Sequence, residues 1–234
     1  MRAAGEQALL SLWENGQIRH PLDRTLLLYA WARPDIAADR VAQSPLGAIN
    51  ADLLKMRRTL FGPRVDATVV CDRCGELLEL RLEIAQLLER ARAMECREVN
   101  VDGFRFRLPD SCDLAAVAAE RDVDAAAEKL FERCCLARPD ETTPLSAVRE
   151  SIEAAMEAAD PLADLRLDVV CDACGHRWTT VLDPAVILWD ELRDHARTLL
   201  AQVHALAQAY GWTEAEVLAL SPQRRAAYLG MVGA

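Results

Sequence analysis

The residues with the most evident chemistry are two cysteine pairs. Val69–Gly75 reads VVCDRCG, and 100 residues later Val169–Gly175 reads VVCDACG, identical at six of seven positions. Each copy ends a short apolar run with Cys-x-x-Cys-Gly. Such a turn aims two thiolates at one ion while backbone N–H groups approach the sulfurs, and the glycine supplies the positive φ that closes it. One pair could be a redox couple. Two supply four thiolates, the donor set of a closed tetrahedral zinc site. Cys71, Cys74, Cys171 and Cys174 are therefore expected to hold one structural zinc. The 96 residues between Cys74 and Cys171 far exceed the roughly 15–20 of a compact ribbon, so an inserted subdomain must lie between the two knuckles.

Other chemistries fit less well. A thioredoxin-type couple needs its first cysteine at a helix N-terminus, and here strands are expected on both sides. A catalytic zinc keeps one position open for water, which four cysteines do not leave. His176, two residues beyond the second pair, is an alternative fourth ligand. His195 and His204 are nine residues apart, without the i, i+4 spacing of a zincin, and read as packing or surface residues. Cys96, Cys112, Cys134 and Cys135 share no ligand spacing and read as small buried hydrophobes. No GxSxG, phosphate-cradling glycine loop or distinct acid pair occurs, so no enzyme is expected.

The elements that must position the knuckles are mostly helical. Leu9, Leu10 and Trp13 form one apolar stripe; Leu26, Leu27, Tyr29, Ala30 and Trp31 form a second, stopped at Pro34. A third helix is expected from an Asn50 cap to Gly62-Pro63. Strands Ala67–Val70 and Leu77–Leu82 flank the first pair, and a short helix Ile84–Met94 follows. The insert opens with a hairpin: Val99 and Val101, an Asp102-Gly103 turn, then Phe104, Phe106 and Leu108. Helices over Leu114–Glu120, Asp124–Leu136 and Leu145–Ala158 follow, the last started by Thr143-Pro144. Asp160-Pro161 then turns the chain into strand Leu165–Val170.

After the second pair, Asp183 caps a helix with Pro184 at its first position and Gly211 past its end. Trp189, Leu192, Ala196, Leu199, Val203, Leu206 and Tyr210 form a heptad seam along it. Thr213 with Glu216 makes a capping box, and Ser221-Pro222 starts the last helix. The expected class is α+β, mostly α-helical, with a small β zinc-ribbon built from two distant knuckles. Its segments are a helical region 1–64, the first knuckle and helix 65–95, an insert 96–162, the second knuckle 163–183, and a helical tail 184–234.

Composition narrows the function. Of 234 residues 52% are hydrophobic, which excludes global disorder. No apolar run reaches the roughly 18–20 residues of a membrane span, and the N-terminus lacks the apolar core of a signal peptide. A cytoplasmic protein with reduced cysteines is the expectation, favouring metal over disulfides. The net charge of −10 opposes a polyanion, so no specific nucleic-acid partner is expected. A zinc-ribbon nucleic-acid-binding protein is one alternative; it would need a basic patch such as Lys55, Arg57 and Arg58, which otherwise reads as a solvated helix face.

Several stretches together resemble a known family. They are LWENG (12–16), RTLLLYAWA (24–32), LFG (60–62), FRFRLPDSCDL (104–114) and the tail from Leu188 through GWTEAEVLALSPQRRAAYL. They are similar to the T-even phage-type baseplate hub assembly chaperones, and to cysteine-bearing relatives from contractile tails and phage-like injection systems. The matching residues are Tyr210, Gly211, Trp212, Glu216, Leu218, Leu220, Arg224, Arg225, Tyr228 and Leu229, with Arg107, Leu108, Pro109, Asp113 and Leu114. The resemblance implies a non-enzymatic assembly factor whose partners are hub or baseplate proteins. The chain's length and its added knuckles leave a second form of that reading, a structural baseplate component retained in the particle. Because tryptophan, tyrosine and arginine dominate interface energetics, Trp212, Arg224, Arg225 and Tyr228 are expected to form the partner surface.

Overall fold

The computed structural model describes residues 5–89, 98–140 and 143–232. In chain order the helices are α1 (Glu6–Gly16), α2 (Pro21–Ala32), α3 (Ala38–Val41), α4 (Leu46–Phe61), α5 (Ile84–Glu89), α6 (Ser111–Val117), α7 (Val123–Cys134), α8 (Arg149–Ala159), α9 (Pro184–Tyr210), α10 (Glu214–Ala219) and α11 (Pro222–Val232). The strands are β1 (Arg64–Val70), β2 (Leu77–Glu83), β3 (Glu98–Val101), β4 (Phe104–Arg107), β5 (Cys135–Ala137), β6 (Arg166–Val170) and β7 (Arg177–Val181). The class is α+β with a helical majority, as expected. The chain divides into a terminal unit, Met1–His20 with Val186–Ala234, and a central unit, Pro21–Ala185. No helix among the described residues is long and apolar enough to cross a membrane.

In the central unit, α4 is the element on which the insert closes. It begins at Leu46, one turn before the expected Asn50 cap, with Pro45 at the N-cap and no side-chain cap of its own. Its first donors are satisfied from afar instead. The Leu46 N–H donates to the Pro109 carbonyl at 3.2 Å, and the Gly47 N–H to the Asp160 carboxylate at 3.0 Å. Asn50 sits within the helix and its amide donates to the Leu162 carbonyl at 2.8 Å. Segments from both ends of the insert thus meet at one helix start.

Gly47 is needed for this approach. A Cβ there would lie 1.7 Å from Asp160 Oδ1 and 2.6 Å from its Cγ. Gly47→Ala is therefore expected to push out the capping carboxylate and destabilise the protein by about 3 kcal/mol, the upper range for overpacking, despite alanine's better helix propensity. Chemical denaturation measures this; an unchanged midpoint would mean the chain relaxes around the methyl group.

The insert has its own core. The Asp102-Gly103 turn has positive φ at both residues (48° and 85°), as a two-residue hairpin requires. Val99, Val101, Phe104 and Phe106 face inward against Phe131 and Ile152, and β5 pairs with β4 to complete a three-stranded sheet. β5 takes Cys135 and Leu136 out of the expected helix, so α7 ends at Cys134. α6 starts at Ser111, three residues earlier than expected, because Asp110 and Asp113 form a reciprocal capping box. Thr143-Pro144 does not cap as expected: Pro144 precedes a 3-10 turn, and the Thr143 hydroxyl donates to Asp140. The expected helix end beyond Glu89 and Cys96 lie outside the described residues.

Asp113 ties the insert together. Its side chain is fully buried and accepts from both Arg107 nitrogens, at 2.8 Å from Nη2, and from Arg133 Nε at 2.9 Å. Burial alone would raise its pKa, but the Arg107 guanidinium, the Asp110 N–H and Arg133 bring it down to about 2. A depressed carboxylate stabilises the fold above its unfolded pKa of about 3.9, and that stability is lost as pH falls through the folded value. Asp113→Asn should lower stability at neutral pH and flatten its dependence between about pH 4 and pH 2. Acid titration by circular dichroism tests this; parallel acid limbs for the two proteins would refute it.

Asp183, near the end of the central unit, caps α9 as expected, accepting from the Ala185 N–H at 2.8 Å. Along the seam Leu192, Ala196, Leu199 and Leu206 are buried while Tyr210 is exposed. Ala196 and Leu199 pack with Leu10 of α1, joined by Trp13 and Leu218. The Thr213–Glu216 capping box is present.

Candidate metal centre

Each cysteine pair sits at the tip of an antiparallel hairpin. β1 pairs with β2 over seven residues, from Arg64↔Glu83 to Val70↔Leu77, and β6 with β7 over five. The alternation that turns Val69 and Val169 inward leads the chain into buried Cys71 and Cys171, each 1% exposed. The turns are built alike. The Cys71 N–H donates to the Glu76 carbonyl and the Cys171 N–H to that of His176, both at 2.8 Å. Gly75 and Gly175 donate back to the first cysteine of their pair with φ of 76° and 69°, a conformation that needs glycine.

The two tips bring the four sulfurs together. Cys71 Sγ lies 3.8 Å from Cys174 Sγ and Cys74 Sγ 3.6 Å from Cys171 Sγ, with all four within 4.8 Å of one another. A tetrahedron with metal–sulfur bonds of about 2.3 Å has edges of about 3.8 Å. The spacing therefore fits one ion, contributed equally by segments 100 residues apart in sequence. The four expected ligands cluster as a candidate metal site.

The clustered thiols perturb one another's ionisation. Burial pushes the Cys71 thiol up, but the N–H groups of Cys74 and Arg73 and the neighbouring thiols outweigh it and hold the group at about 7. At Cys74 the Glu76 N–H favours the thiolate, yet Cys174, burial and the other two sulfurs push it up to about 12. At Cys174 the His176 N–H and the Cys74 sulfur favour the thiolate, but burial and the sulfurs of Cys171 and Cys71 outweigh them and the thiol is raised. Four thiolates this close repel one another, and a divalent ion removes the conflict.

His176 is not the alternative ligand. Its Nε2 is 2.8 Å from Asp72 Oδ1 of the other knuckle, and its ring stacks on Trp178 at 5.7 Å. It is a second clasp between the tips, which the sequence reading missed; the one signal was its place just after the glycine. Strands flank both pairs, so the helix-start geometry of a thioredoxin couple is not present at either. Of the remaining cysteines, Cys134 is buried as expected, whereas Cys112 is exposed and Cys135 half-buried. Cys112 faces the Ala42 carbonyl, while Cys135 packs at the edge of the insert core.

The basic patch does not assemble. Arg57 is 5% exposed, with its guanidinium on the carbonyls of Gly62 and Arg64, and Lys55 pairs with Asp52 at 2.8 Å. Arg57 thus seals the end of α4 rather than facing solvent.

The expected partner residues divide. Trp212 stacks on Tyr210 at 4.8 Å and meets Tyr228 edge-on at 4.8 Å; Arg224 is exposed. Arg225 is not on that surface. It is 3% exposed, with its guanidinium on Glu6 of α1 and on Gln202 Oε1 of α9 at 2.6 Å. Its partners lie 219 and 23 residues away, so adjacency to Arg224 gave no hint of burial. No family model matches the chain, and no curated protein or solved structure matches it.

Proposed function

We propose that this protein is a non-enzymatic assembly factor for the baseplate hub of a contractile tail or phage-like injection system, with one structural Zn2+ held by Cys71, Cys74, Cys171 and Cys174. Zinc suits a tetrahedral four-thiolate set, and four protein ligands leave no position for a substrate or an attacking water. Bound there, the ion would neutralise the thiolates and cross-link the hairpins. The observation that carries the assembly reading is the division of labour within the tail motif. Leu218 and Arg225 turn inward and hold the terminal unit together, while Trp212, Arg224 and Tyr228 remain at its surface. Residues of the motif without a packing role are the ones a partner would read.

The test is removal of the gene from its producing system. Tails or sheaths without hubs, seen by electron microscopy and restored by the intact gene, are expected. Normal particles in its absence would end this reading. Mass spectrometry of purified particles distinguishes a factor that departs from a component that is retained. Elemental analysis of purified protein should give about one zinc per chain.

A further inference from the structure

Tyr210, Trp212, Tyr228 and Arg224 form a hydrogen-bond-donor surface at the corner where Gly211 ends α9. Three of the chain's twelve aromatic residues meet here. None of the three is buried. Arg224 lies one helical turn before Tyr228 on α11, and its guanidinium has no partner among the described residues. The terminal unit's other described guanidiniums are engaged, Arg19 with the Asn15 carbonyl, Arg193 and Arg197 with acids of α9, and Arg225 with Glu6. The Trp212 indole N–H and the two phenol groups likewise have no hydrogen-bond partner among the described residues.

Arginine and the indole N–H donate and cannot accept. A surface offering a guanidinium, an indole N–H and two phenols beside aromatic faces complements a partner that brings acceptors, negative charge and an apolar side chain. We infer that this surface docks an acidic protein segment, with an Asp or Glu carboxylate on Arg224 and a neighbouring apolar side chain on the Trp212–Tyr228 ledge. Guanidinium and carboxylate match as a planar pair, and the rings exclude water around it. A phosphodiester backbone would also offer acceptors, but it carries a charge at every nucleotide against a chain of net charge −10, whereas a segment that places a single carboxylate on Arg224 meets far less repulsion. The inference rests on the proposed function for the existence of a protein partner, but its test needs no particle.

The test is a random dodecapeptide display selection on the full-length, zinc-loaded protein, with counter-selection on Arg224→Glu. The Arg224 guanidinium has no partner among the described residues, so that variant should keep its zinc and melting temperature. Enriched peptides are expected to carry Asp or Glu beside an aromatic or aliphatic residue. By fluorescence anisotropy, an enriched peptide should bind at least about tenfold more weakly to Arg224→Glu and to Trp212→Ala. Its Asn or Gln counterpart should lose a similar factor on the wild type, and Arg224→Lys should retain part of the affinity. Enrichment of peptides without carboxylates, equal binding to Arg224→Glu, failure to enrich anything over that variant, or tighter binding of a labelled single-stranded oligonucleotide would each overturn the inference. Acidic peptides selected here, together with normal particles in the gene deletion, would leave the surface standing and remove the hub reading.

Discussion

Cys171→Ser is expected to empty the metal site and loosen both hairpins while the insert core and α4 stay folded. Serine keeps the size of cysteine but is not a thiolate donor at neutral pH, and three remaining sulfurs no longer close the tetrahedron. A cross-link between residues 71 and 171 taken alone closes a 100-residue loop, worth about 4.7 kcal/mol in the chain-entropy description. The Asn50–Leu162 and Gly47–Asp160 hydrogen bonds already close most of that loop. What the metal closes beyond them is the 21 residues from Asn50 to Cys71 and the nine from Leu162 to Cys171, a loop of about 30 residues, worth about 3.6 kcal/mol by the same relation. Hydrogen exchange should speed up in β1, β2, β6 and β7 and hold steady around Phe104, Phe106 and Ile152. Retention of a full zinc equivalent, or uniform loss of protection across the central unit, would contradict the account.

Arg225→Glu should cost about 3–5 kcal/mol, the usual range for breaking a buried ion pair. The new carboxylate would be buried against Glu6 with Gln202 as its nearest amide, so two like charges would replace a fork of charge-assisted hydrogen bonds. Zinc content should be unchanged, since the ligands lie in the central unit. Arg224→Glu, one position earlier and exposed, should shift stability by less than about 0.5 kcal/mol. Thermal unfolding of the pair is decisive: similar melting temperatures would mean that the Glu6 contact contributes nothing.

These contrasts show where sequence stops being informative. The knuckles, the Asp102-Gly103 hairpin, the Asp183 and Thr213 caps and the seam of α9 are encoded within a few residues of where they act, and local pattern finds them. The start of α4 is not encoded locally, since its caps are Pro109 and Asp160, 63 and 113 residues away from Leu46 and Gly47. Asn50 has a capping residue's chemistry but uses its amide on Leu162 instead. Arg57 and Arg225 carry the commonest signature of exposed residues and are buried because distant carbonyls and carboxylates receive them. The four clustered cysteines were legible because duplication repeats the same short motif; the Asp72–His176 clasp was not, because its halves differ between the copies.

The metal site also has a history within each round of synthesis. Cys71 and Cys74 leave the ribosome 100 residues ahead of Cys171 and Cys174, an interval of about 5–20 s at about 5–20 residues per second. For that time the first knuckle is half a coordination sphere, and its missing half is carried equally well by any neighbouring nascent chain, because the two motifs share six of seven residues. Crowded polysomes in zinc-rich medium should therefore yield metal-bridged, exchanged dimers, the same hazard that hinge exchange brings to other repeated elements. Slower expression would favour closure within one chain.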